Sequence, residues 1–442
     1  MAAPENLRFT LDNGLRVVLA PDTTAPVVGV SVHYDVGFRS EPEGRTGFAH
    51  LFEHLMFQGS ESLEKLAHFK IVQSSGGTFN GSTHPDYTDY FEVLPSAALE
   101  RALFLEADRM RAPKLTQENL ANQIDVVKEE IRLNVLNRPY GGFPWILLPP
   151  VLYSTFPNAH NGYGDFTDLE QAGLDDCAAF FDTYYSPANA VLTVAGDFAP
   201  DVARGLIEKH FDDVPYRPAP PRRSFAEPPP TGEVRGTHTD PHAPLPALAV
   251  GYRMPDPINE LDGYLANLVL AGILTDGDGS RLQQRLVHRE PLVTDIGAGA
   301  GLFGPFEARD PDTFSITAIH APDVAPDRVL AALDEELEKL AATPPEPQEL
   351  AKVTARWSAS LHSEHDRLVS RTLGLGSFEL LYGDPSLMYR LADRMAAVTA
   401  DDIAVAAKAL RPDSRAVLLV EPAGAPHGAG RDAAPQDIEE SK

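Results

Sequence analysis

Gly47-Phe-Ala-His50-Leu-Phe-Glu53-His54-Leu-Met-Phe57 is the stretch from which the rest of the sequence is best read. Its apolar residues (Phe48, Leu51, Phe52, Leu55, Phe57) recur with helical spacing, predicting a helix over 50–57. Residues four apart share a helix face, so His50 and His54 can reach one ion. Zinc accepts neutral imidazole nitrogens, and a catalytic zinc site keeps one position open beside three protein ligands. Glu53, three residues after His50, is placed to act as a general base. Two histidines and a carboxylate on an otherwise apolar helix need partners once buried, and a shared metal provides them. The contrast is His362-Ser-Glu364-His365, where the histidines are three apart among Arg356, Asp366 and Arg367. That pattern reads as a solvated helix face.

Three protein ligands require one more donor. Asp125-Val-Val-Lys-Glu129-Glu130-Ile-Arg132 offers two adjacent carboxylates on a long helical stretch over 116–136, with Leu120, Ile124, Val127 and Ile131 along one face. Glu130 falls nearer that apolar stripe than Glu129. Periodicity favours it and leaves Glu129 as the alternative.

The chain has 442 residues, 43% of them hydrophobic and 23% charged, which suits a globular protein of more than one domain. A formal net charge of −27 argues against binding to nucleic acid or to an anionic membrane surface. No apolar run reaches the roughly 18 residues of a membrane span, and no leader pattern opens the chain. One cysteine, Cys177, cannot form an internal disulfide, so the expected compartment is the reducing cytoplasm.

Strands and helices are mixed along the chain without strict βαβ alternation, predicting an α+β architecture. Two alternating runs around Asp12-Asn13-Gly14 read as a hairpin. Val27–Tyr34 and residues 78–94 also read as strands. A proline-rich stretch over 215–236 reads as a linker, which gives an N-terminal domain over 1–214 and a C-terminal domain over 237–422. Residues 423–442 read as a disordered tail. The halves look duplicated. Leu174-Asp-Asp-Cys-Ala followed by Ala190-Val-Leu-Thr-Val is echoed by Thr399-Ala-Asp-Asp-Ile-Ala and Ala416-Val-Leu-Leu-Val, and Glu118-Asn-Leu-Ala-Asn by Gln348-Glu-Leu-Ala-Lys.

Together these residues resemble the M16 metallopeptidases, the group of pitrilysin, insulin-degrading enzyme and mitochondrial processing peptidase. The family's H-x-x-E-H is followed some seventy-odd residues later by a ligand glutamate in a V-V-x-E-E-like helix, and here Glu130 stands 130 − 54 = 76 positions after His54. Gly76-Gly-Thr-Phe-Asn80-Gly81 resembles the family's entry to the active-site edge strand, and Tyr184-Tyr-Ser-Pro187-Ala-Asn189-Ala-Val-Leu-Thr-Val its helix-to-strand junction.

The resemblance implies two homologous α/β-roll domains and one Zn2+ per chain held by His50, His54 and Glu130. Glu53 would be the catalytic base. The activity implied is endopeptidase cleavage of unfolded peptides or small polypeptides inside a clamshell of two such halves. The alternative is a non-catalytic assembly or binding subunit of an M16-derived complex. Asn80 is the implied substrate contact on the edge strand. Gln123 stands where many relatives carry a glutamate, and an amide there can orient but not transfer a proton. Arg285, in Arg281-Leu-Gln-Gln-Arg285, best matches the family's substrate-holding arginine, but the accompanying tyrosine is missing, Leu292 or Val293 occupying its place. A dimer is therefore expected, with a heterodimer with a second M16-like subunit preferred over a homodimer. At the position matching His50 the second half reads Gly263-Tyr-Leu-Ala-Asn-Leu, without ligands, so that half is expected to be non-catalytic.

Overall fold

The computed structural model describes residues 6–424. The N-terminal hairpin closes at Gly14, whose φ of 88° suits a residue without Cβ, and the Asn13 amide donates to the carbonyls of Phe211 and Val214. It joins β1 (Leu7–Thr10) to β2 (Arg16–Pro21) in antiparallel register. With β3 (Val27–Tyr34), β4 (Thr78–Thr83), β5 (Thr88–Pro95) and β6 (Ala190–Gly196) they form one sheet in the order β1-β2-β6-β3-β5-β4. The β2–β6 pair is parallel and the other pairs are antiparallel. β3 and β6 are buried almost throughout, which explains their continuous apolar runs.

A second sheet runs β7-β11-β8-β10-β9, from β7 (Val234–Asp240), β8 (Ala247–Arg253), β9 (Val293–Ala300), β10 (Thr313–His320) and β11 (Arg415–Pro422). Apart from β1, its order and strand directions repeat those of the first sheet, including one parallel pair, β7–β11. The duplicated sequence segments occupy matching places, since β6 and β11 sit second in each repeat. β7 begins inside the stretch read as linker. Its Thr237, Thr239 and neighbours pair with β11, whereas residues 216–232 form no helix or strand.

Four helices of the first repeat matter for the site: α1 (Phe48–Leu55), α2 (Ala67–Ser74), α3 (Leu99–Arg111) and α4 (Gln117–Ile131). Thr116 caps α4 by accepting from the Asn119 amide, and α4 runs on as a π-helical turn over Arg132–Leu136. In the second repeat the helix matching α1 is Leu261–Thr275, buried along nearly its whole length. Its one carboxylate, Asp262, pairs with Arg394, and the rest of the helix packs as core.

Each sheet is covered on its far face by the other repeat. The Leu368–Tyr382 helix lies on β3 and β6, with Thr372 against Gly29, and His33 and Thr193 against Gly376. A Cβ at Gly376 would meet the His33 ring at 2.4 Å, so only glycine permits this approach. In return Leu148, Val151 and Leu152 of the first half pack on β7, β8 and β11, where Gly236 and Gly251 leave room for them.

Candidate metal centre

The start of α1 is fixed by a buried carboxylate. Glu41 accepts from the backbone N–H groups of Gly47 (2.9 Å) and Ala49 (2.7 Å), satisfying donors that a helix leaves open and complementing its dipole. Gly47 adopts φ 81° and sits against the carbonyl of Tyr163, a contact that a side chain would block. Phe48, Leu51, Phe52 and Leu55 anchor the helix in the core. The opposite face carries His50, Glu53 and His54.

Glu130 of α4 lies over that face, its Oε2 3.7 Å from His50 Nε2 and 3.4 Å from His54 Nε2. Glu129, the other candidate, is exposed and pairs with Arg132. One ligand-type atom from each of His50, His54 and Glu130 lies within 4.8 Å of the others. The donor set, two neutral-capable imidazoles and a carboxylate, suits zinc. His50 is held in its neutral form, its pKa pushed down to about 4 mainly by burial, with the neighbouring His54 adding to the effect. Its Nδ1 is buried with no hydrogen-bond partner among the described residues. These residues fit the metal that the sequence suggests.

Glu53 is half-buried, and its partial desolvation raises its pKa above the usual carboxylate value. One of its oxygens, Oε2, accepts a 2.6 Å hydrogen bond from the Thr83 hydroxyl at the end of β4. Two positions earlier, Gly81 lets the edge strand approach, since a Cβ there would stand 3.2 Å from Glu53 Cγ. Tyr163 completes the site. Its hydroxyl donates to Glu130 Oε1 at 3.3 Å and its ring meets the His50 ring edge-on, with centroids 5.1 Å apart. Sequence reasoning missed both Thr83 and Tyr163. Thr83 had a signal in the strand alternation of Phe79, Gly81 and Thr83, whereas Tyr163 comes from a loop far along the chain.

The remaining expected site residues fall in different settings. Asn80 is exposed on β4, which is an edge strand. Gln123 is buried on α4, donates to Asn122 Oδ1 at 2.9 Å and contacts His54. Arg285 is engaged by other groups. Its guanidinium donates to the Ala332 carbonyl and pairs with Glu290, Glu335 and Glu336 within its own domain. His362 and His365 lie on the Pro347–Asp366 helix, and neither joins a metal-capable group among the described residues.

A second trio, His68, Glu92 and Glu106, is also close enough to hold an ion. Arg109 already occupies it. The buried guanidinium is bidentate to Glu106 and lies 3.7 Å from Glu92, and it stacks over Phe57 and Tyr90. The cation of that cluster is a side chain.

Comparison with known proteins agrees with this architecture. Residues 16–138 match the family model described as insulinase (peptidase family M16), and residues 172–356 match the peptidase M16 inactive domain. Zinc protease PqqE of Helicobacter pylori is 31% identical over 348 residues, covering 76% of this chain and 75% of that protein. The chain belongs to peptidase family M16. An uncharacterized zinc protease of Mycobacterium tuberculosis is 26% identical over 435 residues, spanning 96% of this M16 chain and 94% of the relative. The crystal structure of a protease from Helicobacter pylori superposes with a TM-score of 0.87 at 26% identity, covering 95% of the M16 chain and all of that one. No helix among the described residues is long and apolar enough to cross a membrane.

Proposed function

We propose that this chain is a zinc-dependent endopeptidase for unfolded peptides or small polypeptides, with one Zn2+ held by His50, His54 and Glu130. The observation that carries the proposal is Glu53, fixed by Thr83 beside a three-ligand cradle on an open sheet edge. When bound, zinc supplies Lewis acidity for the attacking water and the scissile carbonyl. Glu53 takes a proton from that water as it attacks and returns it to the departing amine nitrogen, so the amide C–N bond breaks and a C–O bond forms. A substrate strand adds to β4, whose outer backbone groups have no strand partner among the described residues, and Asn80 stands ready for a side-chain contact.

A dimer is part of this reading, in which a second chain facing the β4 edge would enclose the peptide. Arg285 is engaged by its own domain, which favours a heterodimer whose second M16-like subunit supplies the substrate-facing cation, with a homodimer the alternative. Buried Cys177 calls for no oxidising compartment, and the cytoplasm is the proposed location.

Glu53→Gln tests the mechanism. Cleavage of a quenched peptide should fall at least about 100-fold, the usual worth of a positioned base, while metal analysis still finds zinc. Undiminished cleavage by a zinc-loaded Glu53→Gln protein would refute it. A wild-type chain that binds zinc yet cleaves nothing, alone or with its partner, would indicate a non-catalytic subunit.

A further inference from the structure

The base, Glu53, is oriented by Thr83, and what orients Thr83 is not confined to the first domain. Thr83 ends β4, which has β5 on one side only, and its last rung is Thr83 opposite Thr88. Beyond it the chain turns through His84-Pro85-Asp86-Tyr87, closed by the His84 N–H donating to the Tyr87 carbonyl at 2.8 Å. The His84 ring stacks on Tyr87, with centroids 4.2 Å apart. Both its nitrogens are taken. Nε2 lies 3.3 Å from Asp89 Oδ1, and Nδ1 lies 3.2 Å from Glu307 Oε2 of the C-terminal domain.

Glu307 is itself well seated. Gly304 lies so close beneath it that a Cβ there would fall 2.7 Å from the Glu307 Cδ. The loop around it is tied down where the Phe306 N–H donates to Tyr264 Oη and that hydroxyl donates to Asp312. The same loop reaches the turn a second time, because the Arg309 N–H donates to Asp86 Oδ2 at 2.6 Å. With two carboxylates on its ring, His84 has no nitrogen left for substrate. Its position marks it as a link between domains.

We propose that Glu307 is a positioning residue for Glu53, acting across the domain boundary through the His84 turn and the Thr83 hydroxyl. The half of the chain that lacks metal ligands thereby helps aim the base of the half that has them. This inference rests on the endopeptidase reading above.

The test compares Glu307→Gln, Glu307→Ala, Thr83→Val, Thr83→Ser and the Glu307→Ala/Thr83→Val double variant in the full chain. Cleavage kinetics, zinc content and amide hydrogen exchange over residues 82–89 are measured for each. Glu307→Ala should lower kcat about tenfold with KM and zinc unchanged, since small misplacements of a reacting group carry costs of this order. Glu307→Gln, which keeps the shape, guards against a folding defect. Thr83→Val should lower kcat further and Thr83→Ser should restore it. The double variant should be no worse than Thr83→Val alone, because both act along one path. Wild-type kcat in both Glu307 variants, or losses that multiply in the double variant, would overturn the proposal. If the wild type proves inactive, the endopeptidase reading fails separately and exchange decides the link. Faster exchange over 82–89 in Glu307→Ala is then expected, and unchanged exchange rejects it.

Discussion

Replacing His84 by glutamine keeps a planar polar side chain but removes the ring's charge from between Asp89 and Glu307. Burial alone would favour a neutral ring. Hydrogen bonds and charges from Asp89 on β5 and Glu307 on the opposing loop outweigh it and lift the pKa from 6.5 to about 9. Tyr87 stacks on the ring without charge, and His33, the nearest base on β3, is held neutral by burial with a pKa of about 4. At about 1.4 kcal/mol per pH decade, a rise from 6.5 to about 9 amounts to about 3 kcal/mol of folding stability. Because the folded value is raised, this stability is fully present below pH 6.5 and is lost as pH rises through 9. Denaturant unfolding of wild type and His84→Gln at pH 6 and pH 10 isolates it, since other groups titrate alike in both proteins. The wild type's advantage should shrink by about 3 kcal/mol between the two conditions. An advantage that stays constant to within about 1 kcal/mol, the error of such comparisons, would refute the assignment of a charged, doubly bonded His84.

Asp86→Ala should cost about 3–5 kcal/mol in denaturant unfolding, because it strips the partner from buried Arg39. His54→Ala should lower bound zinc well below one per chain by metal analysis, while Asn80→Ala leaves zinc content unchanged and raises KM. Cys177 is fully buried and its pKa is raised by burial to about 12, so a thiol reagent should modify it only on unfolding, as read by mass spectrometry. Gly376→Val drives a side chain into the His33 ring and should lower the thermal midpoint by several degrees, at a cost of roughly 1–3 kcal/mol.

How much of this was legible in the sequence depended on the range of the interaction. The metal-facing side of α1 follows from four-residue spacing within eleven residues, and the choice of Glu130 over Glu129 from one helix's apolar stripe. The structure puts Glu130 over both histidines and turns Glu129 outward, as that local geometry dictates. The duplication was readable because both copies kept the same helix-to-strand junction. Contacts made between distant segments left no such trace. Tyr163 reaches Glu130 from a loop, and Glu307 reaches His84 from another domain, at separations no periodicity encodes. Arg285 shows the converse. Its sequence context suited a substrate contact, but Glu335 and Glu336, fifty and fifty-one residues on, already pair with its charge.

The exchange of cover between the sheets has a mechanical consequence. Neither repeat can be lifted away without stripping the Leu368–Tyr382 helix from one sheet and residues 148–152 from the other. Residues 216–232 therefore connect two bodies that are interlocked rather than hinged. A protease nick there should leave a two-fragment complex that comes apart only under denaturant. Admitting a peptide by parting the two repeats would expose both of these covered sheet faces to water.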